Sequence, residues 1–344
     1  MTGRRQPNSE AVIVKARAIP RHHGRSRYMI QRNLAIVTLG IWIMGAAAHA
    51  EPLTDRMQIE VWPDTPVGSA TFEEPQEIRE RSEDPAVKDR AAFNITTPDL
   101  MVYLPENPNG SAMLVTPGGA YARVVYDKEA DEIAPALNEA GITVFRLLYR
   151  LPGGGQATSA PIADAQRAMR LIRTNAAEWG LDASRVGVLG FSAGGHLAAW
   201  LSAAPTLDAY EPVDETDTAS ARPDFLALGY PVISMEEGIT HPQSREELLG
   251  TTPDDATLEA HSIDKLVTAE MPPTFIFGAN DDDAVIPENT FRFVTALREA
   301  GVPVELHQFE QGGHGFSLRM VRDMPAEAWP DLLVEWLGSK GMLD

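Results

Sequence analysis

Ser192 stands between two glycines in Gly190-Phe191-Ser192-Ala193-Gly194, directly after the strand-like run 185–191 and directly before an alanine-rich segment. A strand that turns at once into a helix forces the serine of such a G-x-S-x-G stretch into a strained backbone and exposes its hydroxyl. The amides and dipole of the following helix then favour negative charge beside the serine oxygen. That is the placement a nucleophile needs. The pattern alone arises by chance in roughly one chain in ten of this length, so its partners decide.

An activated serine requires a base within hydrogen-bond reach and an acid that orients the base. In the order Ser, Asp, His the base lies downstream, and of the eight histidines only His307 and His314 follow residue 270. His307 falls inside the strand-like segment 302–310, where a packing or surface role is expected. His314 stands in the turn Gly312-Gly313-His314-Gly315 just past that segment, free to reach a neighbouring strand's loop. Three acids, Asp281, Asp282 and Asp283, follow the preceding strand-like segment 273–279, and spacing leaves the choice among them open. Gly118, Gly119 and Ala120 follow an early strand-like run and offer backbone amides with no bulky side chain in the way. With the amide of Ala193 they could hold a tetrahedral oxyanion, which completes the parts of an acyl-transfer site.

These residues need a frame that brings four loops together. Strand-like segments at 100–105, 112–117, 142–150, 185–191, 224–234, 273–279 and 302–310 alternate with helix-like ones at 129–141, 161–180, 194–204, 289–301 and 325–340. Such alternation predicts an α/β fold, a mostly parallel central sheet with helices on both faces. Ligands of open parallel sheets bind beyond the carboxyl ends of the strands, where Ser192 and the glycine-rich loops fall. Residues 235–272 break the alternation and are expected to form an insertion at the rim. No internal repeat divides the segment 91–344, which reads as one catalytic domain.

The first fifty residues differ from the rest. They carry eight basic side chains and one acid, whereas the whole chain has 29 basic and 49 acidic residues, leaving 21 against 48 and a formal charge near −27. The apolar run 34–48, preceded by Arg32 and followed by Ala48-His49-Ala50, has the shape of a secretory signal peptide cleaved after Ala50. It is short for a membrane span; an uncleaved anchor is the alternative, and Met29 an alternative start. Residues 51–90 form a polar leader rich in Glu and Pro. A secreted or periplasmic location is expected, with no stable membrane insertion after cleavage. The chain has no cysteine, which excludes disulfides, thiolate zinc sites and lipid attachment through a cysteine. The acidic balance argues against nucleic acid or an anionic membrane as partner. No metal-ligand spacing or cofactor motif is present, so no cofactor is expected.

The blocks PGGAY (117–121), YRLP (149–152), ADAQRAMRLIR (163–173), GFSAGGHLAA (190–199), SREELLG (244–250), DDDAVIP (281–287) and GVPVELHQFEQGGHGF (301–316) resemble successive blocks of α/β-hydrolases. They are similar to bacterial acetylxylan-esterase and feruloyl-esterase-like proteins, some of which carry a xylanase label, over roughly residues 95–340. The resemblance implies Ser192 as nucleophile, His314 as base and Asp282 as acid, with the amides of Gly119, Ala120 and Ala193 as the oxyanion hole. It implies a small-molecule or oligosaccharide ester as substrate. One departure is PGGAY where relatives often have three glycines; alanine keeps the amide.

Other residues invite a role in substrate binding. Tyr121 could stack on a sugar or an aromatic acyl group, and His241 and Arg245 could line the pocket from the insertion. His196 shares a helix face with Ser192, but packing or a helix-to-loop hydrogen bond is expected of it. Asp164, Arg167 and Arg170, at helical spacing, are expected to form ion pairs. The expected function is a secreted esterase removing acetyl or similar short acyl groups from xylan or its oligosaccharides. The alternatives are a general short-chain carboxylesterase, a peptidase, or a catalytically silent binding protein on the same fold.

Overall fold

Strands of a parallel sheet covered on both faces read as nearly continuous apolar runs, and the central strands here do so. The computed structural model describes residues 51–66, 68–69, 75–153 and 156–344. The apolar run 34–48 and the expected cleavage after Ala50 lie outside them. In chain order the strands are β1 (Gln58–Glu60), β2 (Glu77–Glu80), β3 (Arg90–Phe93), β4 (Asp99–Tyr103), β5 (Ala112–Thr116), β6 (Val124–Val125), β7 (Thr143–Leu148), β8 (Val186–Phe191), β9 (Leu226–Gly229), β10 (Thr274–Ala279) and β11 (Val304–Phe309). The helices are α1 (Ala134–Glu139), α2 (Ala160–Thr174), α3 (Ser192–Ala203), α4 (Pro242–Leu249), α5 (Asp255–Ala260), α6 (Glu288–Glu299) and α7 (Trp329–Ser339).

Eight strands pair in the order β1-β4-β7-β5-β8-β9-β10-β11. β1 and β4 run antiparallel at one edge, and every pairing from β7 to β11 is parallel. The two-residue period of a strand divides the core between the faces. Val186 and Val188 of β8, Leu114 of β5 and Ile276 of β10 belong to one apolar cluster with α2, α3 and α6. Leu189 and Phe191, Met113 and Val115, Phe275 and Phe277 belong to a second with α1 and α7. Because β5, β8, β10 and β11 are parallel, the segments after them emerge at one end of the sheet. Those segments carry the glycine loop, Ser192, the three aspartates and His314.

The boundaries differ from the sequence expectation for local reasons. The segment 129–141 is not one helix: Asp127–Asp131 form a π-helical turn and α1 begins only at Ala134. Pro135 lacks the N–H that a continuous ladder would need, and it sits in the first turn of α1, where that loss costs nothing. The π turn carries Glu129 into the interior. α2 stops at Thr174, six residues before Gly180, and the Asn175 side chain donates to the Leu171 carbonyl at 2.8 Å. β9 spans only four residues of the expected run 224–234.

Within 51–90, β1 adds the edge strand of the main sheet, and Val61 and Trp62 are buried in the core. The Trp62 indole donates to Asp164 at 2.7 Å. β2, β3 and β6 form a separate three-stranded antiparallel sheet that the sequence did not suggest. Asp164, Arg167 and Arg170 do form ion pairs, but with partners elsewhere in the chain. Asp164 pairs with the fully buried Arg150, while Arg167 and Arg170 both meet Asp217. No helix among the described residues is long and apolar enough to cross a membrane.

Candidate active site

Ser192 is the first residue of α3 and follows β8 without a connecting loop. Its φ of +52° lies in the left-handed region, where a side chain is strained. The turn is possible because Gly190 and Gly194, two residues to either side, lack side chains. A Cβ on Gly194 would come within 2.1 Å of the Thr116 carbonyl oxygen at the end of β5. The serine side of α3 is thereby pressed against the end of β5, and Thr116 Oγ1 donates to the Gly194 carbonyl at 2.8 Å. The N-cap residue Phe191 provides no side-chain acceptor, so the first amides of α3 are not capped by it.

Ser192 Oγ lies 2.9 Å from Nε2 of His314, and Nδ1 of His314 lies 2.8 Å from Oδ2 of Asp282. The Asp282 side chain is only 2% exposed and that of His314 23%. An ionised carboxylate only accepts, so Nδ1 carries the ring proton and Nε2 is left to accept from the serine hydroxyl. The other Asp282 oxygen accepts from the amides of Ala284 and Val285 at 3.0 and 2.8 Å. Of the three aspartates, Asp282 is the one that meets the imidazole. Asp281 accepts instead from the amides of Gly312 and Gly313, at 2.9 and 2.8 Å, and so ties down the turn that presents His314. Asp283 is exposed.

The loop after β5 is the second wall. Gly119 adopts φ +139°, and a Cβ there would come within 2.1 Å of the Arg123 carbonyl oxygen. Ala120 and Tyr121 follow at φ +60°. The Gly118 amide is already committed, donating to Glu129 Oε2 at 2.6 Å. Gly119 and Ala120 line the cleft with Ser192 and His314. Ala193 is buried directly behind Ser192 in the chain. The cleft itself is small, about 210 Å³.

The remaining candidates divide. His241 lines the cleft: its ring stacks near-parallel to that of His314, with centroids 6.4 Å apart. It also caps α4, its Nδ1 accepting from the Ser244 amide. Burial, and then the neighbouring His314, hold its pKa below the ordinary value. Tyr121 does not face the cleft. It is fully buried, and its hydroxyl is 2.8 Å from Nδ1 of His196, so it packs the interior and is not available to stack on a substrate. Arg245 lies on α4 but is not among the residues lining the cleft, because α4 turns Gln243 and His241 toward it. His307 meets Glu305 on the outer strand β11. Two further residues escaped the sequence reading. Glu129 bridges the Gly118 amide to the Tyr230 hydroxyl (3.2 Å), and the Tyr230 ring packs edge-on against His314 at 5.2 Å. Among the described residues no group of His, Asp or Glu side chains is arranged to hold a metal ion.

His196 makes the helix-to-loop bond expected of it, Nε2 lying 2.8 Å from the His261 carbonyl. Burial lowers its pKa to about 4. The unfolded chain therefore takes up this proton more readily than the folded one. The linked stability is complete above pH 6.5 and is lost as pH falls toward 4, by roughly 3 kcal/mol at most. We expect His196→Gln to show a flatter loss of stability than the wild type between pH 6.5 and 4. Urea titrations at several pH values measure this directly, and parallel curves would show that His196 is not a source of acid sensitivity.

The comparisons with known proteins agree with this frame. The BD-FAE family model matches residues 100–297. An acetylxylan esterase from Xylanibacter ruminicola is 35% identical over 221 residues, 63% of this chain and 43% of that one. A protein named endo-1,4-beta-xylanase B from Butyrivibrio fibrisolvens is 34% identical over 224 residues, 64% of this chain and 35% of that one. The chain thus spans less than half the length of these two curated relatives. The crystal structure of an acetyl ester-xyloside bifunctional hydrolase from Caldicellulosiruptor lactoaceticus superimposes with a TM-score of 0.71 at 32% identity, over 86% of this chain and all of that one. The fold is that of the α/β-hydrolases, and the chain belongs to the BD-FAE family.

Proposed function

We propose that the chain is a serine esterase that removes short acyl groups, acetyl foremost, from carbohydrate esters such as xylan or xylo-oligosaccharides. The observation that carries this reading is the hydrogen-bonded series Ser192, His314, Asp282, whose first two members line a cleft together with the amide-bearing loop Gly119-Ala120. Names of relatives that include acetylxylan esterase support the carbohydrate part.

In this mechanism Ser192 Oγ attacks the ester carbonyl while His314 Nε2 takes its proton. Asp282 steadies the imidazolium, and the amides of Gly119, Ala120 and Ala193 hold the oxyanion. Collapse of the tetrahedral adduct expels the alcohol, which receives the proton from His314. Water then enters, gives a proton to His314 and attacks the acyl carbon. The second collapse releases the acid and returns the proton to Ser192. A cleft of about 210 Å³ suits a short acyl group together with part of the sugar that carries it. We read residues 1–50 as a signal removed on export, on the strength of the apolar run 34–48 and the small residues Ala48 and Ala50.

The test is acetate release from acetylated xylo-oligosaccharides beside hydrolysis of p-nitrophenyl acetate. Catalytic efficiency on the oligosaccharide that matches or exceeds that on the aryl ester supports a carbohydrate esterase. Activity on the aryl ester alone would favour the general carboxylesterase.

A further inference from the structure

The cleft above Ser192 carries charge opposite to that of the chain around it. Beyond residue 50 the formal charge is near −27, yet Arg81, Arg123 and Lys128 all line the cleft. The one carboxylate in its wall, Glu129, has both oxygens engaged, by the Gly118 amide and the Tyr230 hydroxyl. Arg81 is paired with Asp89 at 2.7 Å. Arg123 and Lys128 form no ion pair among the described residues. The Nε of Arg123 is buried without a hydrogen-bond partner.

Both cations sit against the parts that would do the chemistry. A Cβ on Gly119, in the amide-bearing loop, would come within 3.0 Å of Arg123 Cγ. A Cβ on Gly315, the neighbour of His314, would come within 3.1 Å of Lys128 Nζ. A buried donor left unpaired is costly, and a guanidinium fork matches a planar carboxylate in two parallel hydrogen bonds. Lining the same cleft as Ser192, these groups are suited to an anion that arrives with the ester.

We propose that Arg123 and Lys128 form a subsite for a substrate carboxylate, and that the favoured esters lie on oligosaccharides bearing a uronic acid near the acylated sugar. The proposal rests on the esterase reading for the nature of the substrate, but its test reads binding alone. With the full chain carrying Ser192→Ala, calorimetry compares a uronic-acid-branched xylo-oligosaccharide with the unbranched one of equal length. The branched sugar is expected to bind about tenfold more tightly at low salt, with the advantage shrinking several-fold at 0.5 M salt. Adding Arg123→Gln is expected to remove most of that advantage, and adding Lys128→Met instead to reduce it about threefold. Either variant suffices if the other fails to fold. Equal affinities for the two sugars, undetectable ones included, would overturn the subsite, as would an advantage that survives both substitutions. Failure of the esterase reading shows separately, as absence of acetate release by the unmodified chain.

Discussion

Ser192→Ala is expected to lower kcat by roughly four orders of magnitude or more on any ester the protein hydrolyses, with KM changed little. The size follows from what is removed. Without Oγ there is no acyl-enzyme route, and His314 Nε2 loses the hydroxyl that lies 2.9 Å from it. What survives is attack by water assisted by His314 and by the amides around the cleft. Alanine leaves the positive φ of +52° in place and only deletes an oxygen, so the fold should persist. Steady-state rates on p-nitrophenyl acetate, with a thermal melt as control, check this. Retention of more than about one per cent of kcat would remove Ser192 from the mechanism.

Asp282→Asn carries the second largest effect, a loss of roughly 10³ to 10⁴ in kcat, by analogy with serine hydrolases in which the orienting aspartate was so changed. The reason is the proton on His314. Asparagine presents an N–H where the carboxylate accepted, which favours the wrong imidazole tautomer and leaves an imidazolium without its counter-charge. The neighbouring aspartates discriminate the cause. Asp283→Asn, on an exposed side chain, should stay within about twofold. Asp281→Ala should fall between, since it removes the oxygen that accepts from the amides of Gly312 and Gly313 but does not touch the imidazole. A larger loss from Asp281 than from Asp282 would reverse the assignment.

Much of this is legible in the sequence itself. The strand-to-helix switch at Ser192, the glycine loop after β5 and the histidine turn after β11 all announce themselves through local composition, because close backbone approach demands glycine at fixed places. A parallel sheet then brings them together whatever the intervening chain. The choice among Asp281, Asp282 and Asp283 was not legible from spacing, since it depends on which side chain the turn after β10 points inward; it came from resemblance and agrees with the geometry. Tyr121 looked like a substrate platform because it adjoins the oxyanion loop, but a left-handed backbone at Ala120 and Tyr121 swings its ring into the core. Glu129 was hidden for a related reason. Helical periodicity read it as one more polar residue, whereas the π turn at Asp127–Asp131 rotates it under Gly118. Arg123 and Lys128 carry no motif at all, and the subsite proposed for them emerges only from their place in the cleft and from the lack of a paired acid among the described residues.

The central claim is that Ser192 is the nucleophile, and covalent labelling tests it most directly. A fluorophosphonate reacted with the full chain, followed by digestion and mass spectrometry, should give one adduct per chain, on the Ser192 hydroxyl, in step with loss of esterase activity. Hydrolysis of p-nitrophenyl acetate that continues undiminished after Ser192 is fully labelled, or inactivation with the adduct on another residue, would contradict it.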